Sequence, residues 1–247
     1  MNAPPPPAAS TSFSFRIAPG RPTALLAATA VVLALLGLAV GVARGASASD
    51  LPRIVRRFGL DAENSVPAWF TGSLLLLCAL SLWTTAGDTA ARGERYVWHW
   101  RVLALAFAYL SLDEVASLHE LANEPVREAL DLGGVLNLSW VVVAVPLVAL
   151  FGLAYLRFLG HLPARTRWLV VAAGAVYVAG AVGLELPGSV LLERGDQFDP
   201  GYLVVSTLEE LLEMLGAVLL LHALADHGAR RAAAAPPRGA TAATGAR

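Results

Sequence analysis

Residues 24–43 read ALLAATAVVLALLGLAVGVA, a run of twenty residues that carries no charge and consists almost wholly of Ala, Val, Leu and Gly. A helix of this length reaches about 30 Å, which matches the hydrocarbon core of a bilayer. Five further segments are similarly long and apolar, and we expect each to cross the membrane as a helix: 66–87, 97–121, 132–156, 168–187 and 202–225. The sequence therefore predicts an all-α fold, a polytopic integral membrane bundle of about six helices.

The composition excludes several classes of protein. Apolar residues make up 56% of the chain and charged residues only 15%, whereas soluble domains average about 25% charged residues. The net charge of −1 provides no basic field for nucleic acid, and we expect the lipid bilayer to be the main partner. All 18 basic residues are Arg, so a Walker A loop and a Lys Schiff base are excluded, and the single Cys78 excludes an internal disulfide.

Both ends of the chain are predicted to be disordered tails. Residues 1–23 contain four consecutive prolines and a Ser/Thr run, and residues 227–247 are rich in Ala, Pro and Arg. Neither stretch has enough apolar surface to offset its ordering entropy, so residues 24–226 are predicted to form the transmembrane domain. The triplet Ala-Ser-Ala at 46–48 resembles a signal-peptidase site. The apolar run before it exceeds the usual length of about 7–15 residues, and we expect 24–43 to be retained as a helix.

The arginines predict the orientation of the bundle, because cytoplasmic loops carry an excess of positive charge. With the N-terminus in the cytoplasm, twelve arginines lie inside: Arg16, Arg21, Arg92, Arg95, Arg101, Arg157, Arg165, Arg167, Arg230, Arg231, Arg238 and Arg247. Six lie outside: Arg44, Arg53, Arg56, Arg57, Arg127 and Arg194. We therefore expect a multi-pass protein of the cell (inner) membrane with both termini in the cytoplasm; the inverted topology is the alternative.

Acidic residues interrupt three of the six segments, the third, the fifth and the sixth. The predicted topology places all of them, and one histidine, at a similar depth near the outer face: Asp113, Glu114, His119, Glu120, Glu185, Glu209, Glu210 and Glu213. A charge at mid-bilayer costs roughly 2.5–3.5 kcal/mol, so these groups are expected to face one another, water or a cation. On the fifth helix, Gly174, Val178 and Ala181 share a face with Glu185, and these small residues are expected to admit a neighbouring helix.

The first interpretation of this group is a metal site that opens outward. Carboxylates with one imidazole suit a divalent metal such as Fe, Mn or Zn, and carboxylates from facing helices hold the metals of di-iron bundles. The ligands in direct contact would come from Asp113, Glu120, Glu209 and Glu213, with the other four as further ligands or acid–base groups. His119-Glu120 begins like the HExxH motif of zinc proteases, but Asn123 stands where the second histidine is required. The sequence thus favours a membrane enzyme or a metal-handling protein outside that class.

Three alternatives stay open. The same carboxylates suit a transporter coupled to protons or cations, because intramembrane carboxylates often relay protons. They also suit a non-catalytic membrane scaffold in which they tie the helices together. Finally, some of them, Glu120 and Glu185 above all, suit hydrated helix ends at the headgroup level. A small ion or a lipid-soluble substrate is the expected ligand class, and whether the protein is an enzyme is left open.

Overall fold

The computed structural model describes residues 14–46, 51–60, 64–118, 121 and 140–234. All regular secondary structure in these ranges is helical. The helices are α1 (Arg21–Ala46), α2 (Arg53–Arg56), α3 (Val66–Ala91), α4 (Val97–Ala116), α5 (Trp140–His161), α6 (Ala164–Val178), α7 (Glu185–Arg194) and α8 (Pro200–Ala233). A π-helical stretch (Ala179–Leu184) joins α6 to α7 without a break. The predicted all-α fold is confirmed.

Four of these helical segments are long and apolar enough to cross a membrane: Arg21–Ala46, Val66–Ala91, Val141–His161 and Ala164–Arg194. The helices α4 and α8 are also long, with 20 and 34 residues, but both carry several charged residues within their apolar runs. The fold is therefore compatible with a multi-pass membrane protein.

The last helix, α8, is the centre of the bundle and packs against α1, α3, α6, the π-helical stretch and α7. Its buried residues Met214, Ala217 and Leu221 belong to the main apolar core. On one side, the Cys78 thiol of α3 donates a hydrogen bond to the Ala217 carbonyl oxygen over 3.4 Å. On the other, Gly216 lies directly against the backbone of Tyr177 in α6. The position of every group on α8 is thereby fixed between α3 and α6.

Charged residues join the chain ends at one end of the bundle, here called the arginine end. Arg16 pairs with Asp88 at the end of α3 over 2.6 Å, and Arg165 pairs with Asp226 over 3.0 Å. Arg231 near the end of α8 donates to both carboxylate oxygens of Glu94, at 2.6 and 2.5 Å. The start of α1, the end of α3, the start of α6 and the end of α8 therefore meet at this end.

Two helix boundaries differ from the prediction because local interactions override the hydropathy pattern. The third helix ends at Ala116 rather than at residue 121, since Ser117 has a φ of 48° and its N–H donates to the Asp113 carbonyl oxygen. A residue in the left-handed conformation is a common helix end. The last helix continues through 227–233, within the predicted C-terminal tail, where Arg231 is held by Glu94.

Two further differences lie at the N-terminal tail and at the fourth predicted segment. Within the predicted N-terminal tail, the amide of Phe15 donates to the Thr84 hydroxyl over 2.9 Å, so this part packs on α3. The fourth predicted segment starts at 132, whereas α5 runs from Trp140 to His161, and 132–139 lie outside the described residues.

The contact between α8 and the α6–π segment uses glycines other than the predicted ones. A Cβ added at Gly216 would lie 2.7 Å from the Tyr177 nitrogen, and one added at Gly180 would lie 2.7 Å from the Glu209 carbonyl oxygen. By contrast, a Cβ added at Gly174 would have no atom of another described helix within 4 Å. The face that meets α8 runs through Tyr177 and Gly180, and it lies about 100° around the helix from the predicted face of Gly174 and Val178. The predicted stripe through Gly174 is therefore wrong.

His227 is buried at the arginine end, beyond the predicted span 202–225. Its Nδ1 lies 3.2 Å from the Thr166 hydroxyl, and only 5% of the residue is exposed. Burial lowers the pKa of His227 to about 4, and the charge of Arg231 acts in the same direction. The imidazole is therefore neutral in the folded protein at neutral pH.

We expect Gly216→Ala to lower the free energy of unfolding by about 1–3 kcal/mol, because the added methyl group meets the Tyr177 backbone, which cannot rotate away. Gly174→Ala is the matched control in α6 and should leave stability equal or slightly higher, since Ala favours helix. Thermal unfolding in detergent measures both. Equal losses in the two variants would contradict the close contact.

Because His227 is buried as a neutral imidazole, we expect the free energy of unfolding to fall in acid. Its folded pKa lies below its unfolded value of about 6.5, so its contribution is complete above that pH and is lost as the pH falls towards about 4. The full loss is about 3 kcal/mol. We expect His227→Gln to lose less stability than the wild type between pH 7 and pH 4.5 in thermal unfolding. Identical losses in both proteins would show that His227 is not the responsible group.

Candidate functional site

Six of the eight predicted site residues are described, and the structure brings them to one region at the bundle end opposite the arginine end. We call them the carboxylate cluster: Asp113 and Glu114 of α4, Glu185 of α7, and Glu209, Glu210 and Glu213 of α8. All six are partly buried. The carboxylates with the strongest electrostatic interaction with Glu213 are those of Glu210, Glu114, Glu209 and Glu185. Three helical segments that are distant in sequence therefore converge on Glu213.

The start of α8 sets the positions of its three glutamates. Asp199 caps the helix, because its Oδ1 accepts hydrogen bonds from the amides of Gly201 and Tyr202 at 2.8 and 3.3 Å. From this start, Glu209 and Glu213 are four residues apart and share one face, while Glu210 lies about 100° away from Glu209. The cap at Asp199 thus marks the start of the helix that carries three of the six described cluster residues.

The π-helical stretch and α7 form the wall that Glu209 and Glu213 face. The position of a Cβ on Gly180 lies 3.1 Å from the Glu213 Cγ, and that on Gly188 lies 3.9 Å from a Glu209 carboxylate oxygen. Any larger residue at Gly180 would displace Glu213. Short π-helical stretches often occur at functional sites, and this one brings bare backbone against the cluster.

The opposite wall comes from α3 and the end of α4. Ser111 donates to the Gly72 carbonyl oxygen over 2.7 Å, and a Cβ on Gly72 would lie 3.6 Å from the Glu114 Cγ. Beside Gly72, the side chain of Thr71 is fully buried, and its hydroxyl has no hydrogen-bond partner among the described residues. The contact of Cys78 with Ala217 aligns α3 with α8.

Thr71 lies at the depth of the cluster. It precedes Cys78 by two helical turns, just as Glu210 precedes Ala217 by two turns on the parallel helix α8. A buried hydroxyl is therefore present at the level of the carboxylates. Ser73 lies two residues after Thr71, but its hydroxyl already donates a hydrogen bond to the Trp69 carbonyl oxygen over 2.7 Å.

Sequence reasoning missed Tyr177. Its phenol group lies within electrostatic range of four carboxylates, those of Glu213, Glu114, Glu210 and Asp113. The tyrosine therefore belongs to the same site. The only signal in the sequence is a single phenol in the apolar run of the fifth segment. Its helical distance from Glu185 depends on the π-helical stretch, and a regular α-helix would place the two residues differently.

The remaining two predicted site residues, His119 and Glu120, lie outside the described residues. Within the described ranges, no three His, Cys, Asp or Glu side chains are arranged so that they could hold a metal ion. The described part of the cluster is therefore a group of neighbouring carboxylates and not a preformed metal site.

Residues 24–227 match a protein family described as Domain of unknown function (DUF8692). The chain belongs to this family. The match spans the region from α1 to His227, so the carboxylate cluster lies inside the family domain. No curated protein and no solved structure matches the chain.

The geometry of the cluster defines what it can do chemically. Carboxylates that are close together in a medium of low dielectric repel one another strongly and cannot all hold their charge without compensation. Carboxylates in this arrangement can share protons or bind a cation between them. The phenol of Tyr177 and the hydroxyl of Thr71 add neutral groups that donate and accept hydrogen bonds at the same level.

Proposed function

We propose that this protein is a six-helix membrane protein that binds protons or a small cation in the carboxylate cluster and carries them as part of a transport cycle. The observation that supports this function is the surrounding of Glu213, whose strongest electrostatic neighbours are four other carboxylates from three helical segments. Such a group takes up a proton or a cation readily and releases it when a neighbour is protonated, which is the property that a carrier needs.

In this proposal α4 and α8 cross the membrane together with the four apolar segments. Glu213 lies eleven residues after Tyr202, or about 16 Å along the axis, which places it near the middle of the bilayer. The protein lies in the cell (inner) membrane with both termini in the cytoplasm, and the cluster opens outward. The alternating directions of the long helices and the collection of arginines at one end support this orientation.

The second candidate is a metal site of a membrane enzyme or metal-handling protein that takes Fe, Mn or Zn. It is favoured by the residues that follow α4 in the sequence. The helix ends at Ala116 beside the cluster, and in the sequence His119 and Glu120 follow Asp113 and Glu114 by only a few residues. Together with Glu209 and Glu213 on α8, they would supply the oxygen-rich donor set with one imidazole that these metals accept.

Glu213→Gln distinguishes these functions, because it removes the charge and preserves the shape. We expect the variant to insert and fold but to lose proton-coupled ion flux in liposomes, measured with an internal pH indicator under an imposed gradient. Glu193→Gln, in an exposed part of α7, is the matched control and should retain full flux. Elemental analysis of the same preparations tests the second candidate.

The outcomes separate the candidates. Stoichiometric metal in the wild type that is lost in Glu213→Gln would favour the metal site. Full flux in Glu213→Gln, or equal loss in Glu193→Gln, would contradict a carrier function, and a structural role of the carboxylates would then be the better interpretation.

The orientation gives a separate prediction. Reporters fused after Arg231 and in the 157–167 segment should be active in the cytoplasm, and one placed in 188–201 should be active outside, because of the distribution of the arginines. Paired reporters that are active only inside or only outside provide the measurement. The opposite pattern would place the carboxylate cluster at the inner face.

A further inference from the structure

A second concave region lies at the arginine end, away from the carboxylate cluster. It is a cavity of about 310 Å³ between the α3–α4 turn and the ends of α5 and α8. Its polar side is lined by Arg92, Arg95 and Arg231, and its apolar side by Trp100 and Phe158. The volume lies at the lower end of the range of about 300–1,000 Å³ typical of small-molecule sites.

The cavity carries an excess of positive charge. Glu94 compensates Arg231, since both of its oxygens accept hydrogen bonds from the same guanidinium nitrogen. Arg92 and Arg95 are exposed and form no ion pair with any other described residue, so the cavity lining carries two uncompensated positive charges. The Arg95 guanidinium lies over the ring of Tyr96, which also lines the cavity. His227 adds no charge at neutral pH, because burial lowers its pKa to about 4.

The turn that carries these arginines has an unusual backbone. Gly93 and Tyr96 have φ angles of 63° and 69°, and the left-handed conformation is uncommon for a bulky residue such as Tyr. Two hydrogen bonds hold the turn, from the Gly93 amide to Ala90 and from the Glu94 amide to Thr89, each 3.0 Å long. Backbone strain of this kind is concentrated at ligand-binding sites.

The opposite wall is rigid and aromatic. The rings of Trp100 and Phe158 meet edge to face with centroids 4.8 Å apart, and both side chains are almost fully buried. The outer surface at this end also carries exposed tryptophans, Trp83 and Trp98, and the Arg101 guanidinium lies over both rings. Exposed tryptophans of this kind mark the headgroup level of a membrane.

We propose that this cavity is a phosphate-binding site in which Arg92 and Arg95 hold the phosphate group, while the buried Trp100–Phe158 pair keeps the opposite wall in place. Arginine guanidinium groups match phosphate oxygens in geometry and charge. The phosphate comes from an anionic lipid headgroup or from free phosphate, and basic pockets between membrane helices are typical sites for such headgroups.

Titrations of thermal stability test this site in the full-length protein in detergent. One arm compares phosphatidylglycerol with phosphatidylcholine in mixed micelles, and the other compares inorganic phosphate with chloride at equal ionic strength. We expect stabilisation by phosphatidylglycerol, by inorganic phosphate, or by both, and the responding arm identifies the source. In the double variant Arg92→Gln/Arg95→Gln, the apparent affinity should fall about tenfold or more, because two charge-assisted contacts are lost.

Arg157→Gln is the matched control, since Arg157 is exposed on α5 and does not line the cavity. It should keep the affinity of the wild type. Absence of stabilisation in both arms, an unchanged affinity in the double variant, or an equal loss in Arg157→Gln would each overturn the proposal. If the double variant does not purify as a monodisperse protein, the two single variants decide by the same criterion.

Discussion

The backbone contact between α8 and the α6–π segment is the constraint on which the arrangement of the rest depends. The backbone of Tyr177 packs directly against Gly216, and the carbonyl oxygen of Glu209 packs directly against Gly180. Without side chains at these two points, the helix axes come close enough for Glu213 and Tyr177 to share one region. A glycine at only one of the two points would leave the helices splayed at the other.

Charge is distributed unevenly along α8. At the arginine end, Asp226 and Arg231 are joined to partners on other segments, so charge there ties the bundle together. At the other end, Glu213 has carboxylates as its strongest neighbours. One helix thus carries charges that join it to other segments and a group of neighbouring carboxylates, which we propose to bind a proton or a cation. The two proposed sites lie at opposite ends of the same central element.

Much of the fold could be predicted from the sequence, because hydropathy acts over whole segments. The meeting of the acids of α4, α7 and α8 also followed from helix direction alone. Local backbone chemistry could not be predicted in this way. The left-handed Ser117 ends α4 early, and α8 packs on the face of Tyr177 and Gly180, about 100° from the predicted face of Gly174. Tyr177 was missed for the same reason, since hydropathy does not show which face of an apolar helix meets its neighbour.

In the proposed membrane arrangement, the depth of Glu213 favours a binding role for the cluster over a purely structural one. Hydration at the headgroup level can explain an acid in the first turn of a helix, but Glu213 is the fourteenth residue of α8, about 20 Å from its start. A structural hydrogen bond at that depth can be made by a neutral amide or hydroxyl at lower cost. In the proposed function, ionisable side chains from three segments meet at one level so that a proton or a cation can enter and leave between them. The fully buried hydroxyl of Thr71, at the same level and without a hydrogen-bond partner among the described residues, offers such a group one further contact.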